Sequence, residues 1–225
     1  MKNLEQDFKL FASDKKVSTS LYDDYAKKLT NSYIEPTIVE ERSLNVTQIS
    51  AFSRLFMDRI LFLGSGIDSD VANIMNAQLL YLEMVDPEKP ITVYINSPGG
   101  SVYDGMSIYD VFQYVSCPIQ TTCIGTAASM GAVLLSSGEK GCRSALPHSS
   151  IMIHQPSGGT GRVSASDMEI AWEEMKKCKE MLYEVLSNNT GKTVEEIEAL
   201  CDRDKWYTSA EALENGLIDN IIKRK

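Results

Sequence analysis

Apolar residues along this chain switch between two spacings, and each switch marks an element. Short runs rich in β-branched side chains read as strands: Thr37-Ile38-Val39, Ile60-Leu61-Phe62-Leu63, Ile91-Thr92-Val93-Tyr94-Ile95 and Ile119-Gln120-Thr121-Thr122-Cys123-Ile124. Between them the spacing turns helical. Ile49, Phe52, Leu55 and Phe56 form one such set. Val71, Ile74, Met75, Leu79 and Leu82 form another, predicting a helix capped by Asp68 or Ser69, running through Met84 and closed by Asp86-Pro87. Ser101 with Asp104 three residues later resembles a capping box, opening a helix through Val115 that buries Met106, Tyr109, Val111 and Phe112. Ala132-Val133-Leu134-Leu135 predicts a further helix ending at Ser136-Ser137-Gly138.

The second half repeats the alternation less regularly. Arg143-Ser144-Ala145-Leu146 and Ile151-Met152-Ile153 read as short strands, and the proline and glycines of residues 155–161 rule out a helix there. Ser166 or Asp167 is expected to start the longest helix, with a stripe of Met168, Ala171, Trp172, Met175, Cys178, Leu182 and Val185. A helix this long can pack on another subunit as well as on its own core. Thr193 and Thr208 open capping boxes, and Leu217 to Ile222 returns to strand. Strand and helix alternate from residue 60 to about 138, the pattern of a parallel α/β sheet or a stacked ββα spiral.

Residues 1 to about 35 differ in texture. Their apolar positions (Leu4, Phe8, Leu10, Phe11, then Leu21, Tyr22, Tyr25 and Leu29) are scattered among charges and serines, predicting a flexible or removable leader. A single domain is expected over residues 36–225, since 225 residues with 43% hydrophobic content support one sizeable core. The net charge of -9 argues against nucleic acid and against anionic membrane, both of which require a basic face. No run approaches the roughly 20 apolar residues of a membrane span, and no secretory signal stands at the start, so a soluble, cytoplasmic protein is expected. Five cysteines without a C-x-x-C pair suit reduced thiols, and with only two histidines no metal site and no cofactor are expected.

The chemistry gathers around Gly125-Thr126-Ala127-Ala128-Ser129-Met130-Gly131, which lies between a strand and a helix. Its Ala-x-Ser-x-Gly spacing resembles a nucleophile elbow, in which small neighbours leave the hydroxyl exposed at a sharp turn. An ordinary helix N-cap is the competing reading of Ser129. A serine needs a base, and of the two histidines His154, at the end of an apolar strand, is favoured over His148, which sits in a polar loop. A base needs an acid. Asp202 and Asp204 both lie at a break between capped helices, and spacing alone does not separate either from a surface ion network with Arg203. Gly99-Gly100 and the N–H of Met130 can supply oxyanion donors, while a phosphate-binding turn at Gly99-Gly100 lacks its usual lysine.

Taken together, Tyr94-Ile-Asn-Ser-Pro-Gly-Gly100, Gly105-Met-Ser-Ile-Tyr-Asp110, Gly125-x-Ala-Ala-Ser-Met-Gly131, Met152-Ile-His-Gln-Pro156 and Asp202-Arg-Asp204 ahead of Ser209-Ala-x-Glu-Ala212 resemble the Clp protease family of serine peptidases. The resemblance covers the chain from about residue 38 to the end. It implies Ser129 as nucleophile, His154 as general base, Asp204 as the orienting acid, and Gly100 and Met130 as oxyanion donors. The implied fold is the α/β ββα spiral shared with crotonases, carrying a protruding strand-helix arm from about Pro156 to Val185. In that family the arm joins two stacked seven-membered rings into a 14-mer enclosing the active sites, and Gly158 and Gly159 lie in an extended segment able to hold substrate by strand addition. The implied activity is ATP-dependent proteolysis of unfolded polypeptide delivered by a hexameric AAA+ unfoldase. Thr92 stands where many relatives have an aromatic in the pocket for the ATPase loop. The rival readings are a catalytically silent ring subunit of the same fold and a crotonase-like acyl-CoA enzyme.

Overall fold

The computed structural model describes residues 37–42, 45–159, 161 and 163–223. The expected leader therefore lies outside the described residues. The chain divides into two units, Met1–Arg54 and Leu55–Lys225. In the first, strand β1 (Thr37–Arg42) pairs antiparallel with β2 (Asn45–Ser50), in register from Thr37↔Ser50 to Arg42↔Asn45. Helix α1 (Ala51–Met57) follows and crosses the unit boundary. Ile49 is thus a strand residue, and the helical spacing that included it begins at Phe52.

The second unit is built on a mixed seven-stranded sheet. Strands β3 (Ile60–Leu63), β4 (Ile91–Ser97) and β5 (Ile119–Ala128) run parallel, joined by helices α2 (Ser69–Val85) and α3 (Val102–Tyr114). Their inward residues, among them Leu61, Leu63, Ile91, Val93 and Ile95, are buried, as parallel strands covered by helices require. Asp68 caps α2 through Val71 N–H at 2.9 Å, and Ser101 caps α3 by accepting from Asp104 N–H. Helix α2 buries Ala72, Met75, Leu79 and Leu82, but Ile74, expected on that face, is half exposed.

Strand β5 is the one on which the remaining strands are hung. Its ten residues are paired along one edge with β4 from Ile119 to Ala127. On its other edge, the N-terminal half pairs with β6 (Arg143–Ala145) and the C-terminal half with β7 (Ser150–Ile153). The strand predicted to stop at Ile124 continues through Gly125-Thr126-Ala127-Ala128 because this second partner takes up its hydrogen bonds. Helix α4 (Met130–Ser136) leaves directly from its end, and all seven residues are buried. So short a helix is unstable alone. Burial of Leu134 and Leu135, worth about 1.5–3 kcal/mol each, and a 2.7 Å hydrogen bond from Thr121 Oγ1 to Leu135 O hold it in the core.

Helix α5 (Ala165–Thr190) is the longest. It starts one residue before the expected cap because Ser164 takes that role, accepting from Asp167 N–H at 3.2 Å. Its two halves differ. Cys178, Leu182, Tyr183, Val185 and Leu186 are buried, whereas Met168, Ile170 and Trp172 are 53–68% exposed. Helix α6 (Val194–Cys201) and helix α7 (Ser209–Glu214) open with complete capping boxes at Thr193 and Thr208, as the sequence predicts. Between them β8 (Lys205–Thr208) pairs antiparallel with β7 alone. The last strand is shorter than expected: β9 (Asn220–Ile221) pairs with β6, while Leu217 and Ile218 are buried in the approach to it.

Candidate active site

Parallel strands β5 and β7 are in register from Thr126↔Ser150 to Ala128↔Met152, so the residues just past their C-terminal ends, Ser129 and His154, emerge on the same side of the sheet. A hydrogen bond from Ser129 N–H to Met152 O, 2.8 Å, fixes this junction. Antiparallel β8 brings in the third group, since the β7–β8 ladder ends at Ile153↔Lys205 and the next residues outward are His154 and Asp204. Three segments distant in sequence thus present a hydroxyl, an imidazole and a carboxyl at one point.

The distances are those of a relay. His154 Nε2 lies 2.9 Å from Ser129 Oγ, and His154 Nδ1 lies 2.9 Å from Asp204 Oδ1. A carboxylate only accepts, so the Nδ1–H donates to Asp204. In the neutral ring Nε2 is then an acceptor for the Ser129 hydroxyl. Asp202 is not part of the relay: its carboxylate lies 3.7 Å from Arg203 Nε, in an exposed ion pair. His148 occupies the exposed turn before β7, at the opposite end of that strand from His154.

Ser129 does occupy the N-cap position of α4, but its side chain makes no capping hydrogen bond. Its backbone adopts φ 54°, a conformation that costs a non-glycine residue about 1–3 kcal/mol and persists only where the surroundings enforce it. The buried helix on one side and the β5 ladder on the other supply that constraint, and the hydroxyl is turned to His154. The ordinary N-cap reading fails on this geometry.

Gly99 and Gly100 bring a second stretch of backbone against the serine. A Cβ at Gly99 would stand 2.6 Å from both Ala128 O and Ser129 Cβ, and one at Gly100 would stand 2.1 Å from Ile67 O. Both positions also have positive φ, 91° and 155°. Glycine is therefore required for this approach. The bridge between this loop and Ile67 uses Gly99 O and Ser101 N–H, each at 2.9 Å, and so leaves the Gly100 N–H out of the pairing. Met130 is the first residue of α4, where an N–H has no intrahelical acceptor. Both amides border the cleft that holds Ser129 and His154.

That cleft has an apolar wall of Val102, Met130, Val133, Met152, Leu182 and Leu186. Gly158 and Gly159 follow His154 in irregular, exposed chain, with Gly158 running beside Met175 of α5. Among the described residues no group of three or more His, Cys, Asp or Glu side chains could hold a metal ion. The five cysteines are free. Sequence reasoning did not single out Gln155, whose backbone N–H and side chain donate to the carbonyls of Cys201 and Asp202, in the segment leading to Asp204. The signal that could have found it was its position inside the Met152-Ile-His-Gln-Pro156 motif.

Residues 42–225 match the family model described as Clp protease. The ATP-dependent Clp protease proteolytic subunit of Porphyromonas gingivalis is 55% identical over 202 residues, covering 90% of each chain. The subunit of the same description from Bacteroides fragilis is 50% identical over 219 residues, 97% of this chain and 99% of the relative. Subunit 1 of Salinibacter ruber is 48% identical over 191 residues, 85% of this chain and 82% of the relative. With four fifths of its length matched by one model and half its residues shared with such relatives, the chain belongs to the Clp protease family.

Proposed function

We infer that the chain is the proteolytic subunit of an ATP-dependent Clp protease, hydrolysing peptide bonds through Ser129, His154 and Asp204. Ser129 Oγ attacks the scissile carbonyl while His154 Nε2 accepts its proton; His154 then returns that proton to the leaving amine. Asp204 holds the Nδ1–H tautomer and stabilises the imidazolium formed in between. The oxyanion of the tetrahedral intermediate faces the N–H groups of Gly100 and Met130, which carry no other bond to give up as charge develops. Water, activated by the same histidine, releases the acyl-enzyme. The apolar wall of the cleft favours an apolar side chain beside the scissile bond, and the chain at Gly158-Gly159 can pair with extended substrate.

The observation that carries this reading is the unbroken pair of 2.9 Å hydrogen bonds from Ser129 through His154 to Asp204. No such set is needed by an acyl-CoA enzyme, and a silent subunit would lack part of it. Treatment with a fluorophosphonate tests the reading directly: one adduct per chain is expected, on Ser129, with parallel loss of peptide hydrolysis. An unlabelled protein, or activity that survives labelling, would overturn it.

The substrate is polypeptide and the partner an ATPase. In finer terms, the ATPase is a hexameric AAA+ unfoldase, and this chain forms two stacked heptameric rings. The exposed apolar residues on the first half of α5, Met168, Ile170 and Trp172, support a role for that segment in self-association. The free cysteines are compatible with a cytoplasmic location. No helix among the described residues is long and apolar enough to cross a membrane.

A further inference from the structure

We propose that Gln155 is a positioning residue that holds the Asp204 carboxylate in line with His154. The inference rests on the reading of Asp204 as the acid.

Asp204 is otherwise poorly held. Its side chain is 64% exposed, and the two residues before it are more so, Asp202 at 72% and Arg203 at 90%. The core reaches only as far as the buried Cys201, and none of Asp202, Arg203 and Asp204 buries its side chain. On its C-terminal side this loop is tied by β8, whose ladder with β7 ends at Ile153↔Lys205. On its N-terminal side, helix α6 ends at Cys201, and the chain turns outward.

Gln155 closes that open side. Its backbone N–H donates to Cys201 O at 2.7 Å, and its side-chain Nε2 donates to Asp202 O at 2.8 Å. Both acceptors are main-chain carbonyls, so the clamp acts on the path of the loop and not on any one side chain. Because Gln155 directly follows His154, the base and the two anchors of the acid loop share one short piece of backbone. Any shift of that piece carries imidazole and loop together, which preserves the distance between His154 Nδ1 and Asp204 Oδ1. Removing the side-chain bond leaves the Asp202 carbonyl to water and frees the loop to swing about β8.

A double-mutant cycle tests this. Gln155→Met keeps the side-chain length without a donor, and Gln155→Glu offers an acceptor to a carbonyl that needs a donor. In the parent enzyme each is expected to lower kcat on a short fluorogenic peptide by about 10- to 100-fold, the scale of an ångström-level misplacement, with KM little changed. In an Asp204→Asn background, where there is no carboxylate left to place, the same substitutions should cost less than about 2-fold. Equal losses in both backgrounds, or full activity of both single variants, would overturn the proposal. So would loss of full-sized particles on light scattering in both variants, which would assign Gln155 to assembly instead. Full activity of Asp204→Asn alone would overturn the acid assignment and this inference with it, whereas a severe Asp204→Asn loss beside a harmless Gln155→Met overturns only the inference.

Discussion

Gly99 lies so close to Ser129 that a methyl group on the first would overlap the Cβ of the second, at 2.6 Å. The Gly99-Gly100 loop and the Ala128–Met130 turn are therefore packed tightly against each other, with no flexible side-chain end to absorb a change. Gly99→Ala must displace one of them, and at φ 91° it adds backbone strain as well. Peptide hydrolysis by Gly99→Ala is expected to fall by about 10²-fold or more, with a lowered Tm. A variant with near-parental turnover would mean that the loop can shift without cost to the chemistry.

Removing either end of the Ser129–His154 hydrogen bond should be far more severe. Ser129→Ala and His154→Ala are each expected to lower kcat by on the order of 10⁴–10⁶-fold, because such groups act as a unit. Retention of a tenth of the activity would remove that residue from the mechanism. Of the two neighbouring carboxylates, only Asp204→Asn should be severe in the same assay. Asp202→Asn breaks an exposed ion pair with Arg203 and should stay within a few-fold of the parent.

The first half of α5 gives a prediction about assembly. Ile170 and Trp172 are 68% and 59% exposed, so Ile170→Glu or Trp172→Glu spares the folded core while placing charge on an apolar surface. Both variants should form smaller particles by size-exclusion chromatography with light scattering, and those particles should turn over peptide poorly. Full-sized variant particles would show that this face is not the contact.

Acid stability should depend on Asp219. Burial pushes its carboxyl up, but the Arg143 side chain and the N–H groups of Arg143 and Gly141 outweigh burial and hold it below its ordinary 3.8. A depressed carboxyl contributes stability above its unfolded value and loses it as the pH falls through the folded value. Asp219→Asn leaves the buried Arg143 without a counter-charge, at a cost of about 3 kcal/mol near neutral pH. Thermal melts against pH should show the gap between parent and variant narrowing as the pH falls below the ordinary 3.8 and closing only under the depressed folded value, where the parent carboxyl is itself neutral. A gap that stays constant through that range would assign the loss to packing.

Much of the fold and of the candidate site was legible in the residues. Ser129 stood out because its neighbours are too small to cover it, and His154 because an apolar strand ends against it. The choice between Asp202 and Asp204 was not open to spacing, since it is made by the β7–β8 register, a relation between segments 50 residues apart. Periodicity also could not tell a covered face from a bare one: Ile74, Met168 and Trp172 continue apolar stripes whose other members are buried or half-buried, yet they face outward in the protomer. Strand β2 escaped because Phe52, Leu55 and Phe56 extend a helical pattern backwards to Ile49, while the hydrogen bonds of that residue go to β1.

The order in which the relay is made along the chain bears on when the protein becomes dangerous. Ser129 and His154 are 25 residues apart, but Asp204 comes 50 residues after the histidine, just ahead of β8, which among the described residues pairs only with β7. With Ser129 as nucleophile and Asp204 as acid, as proposed, a chain still being synthesised presents the first well before the second, and the relay stays incomplete until Asp204 has been added. Ribosome-arrested chains ending ahead of Asp204 should accordingly resist fluorophosphonate labelling, while chains released after completion should acquire it.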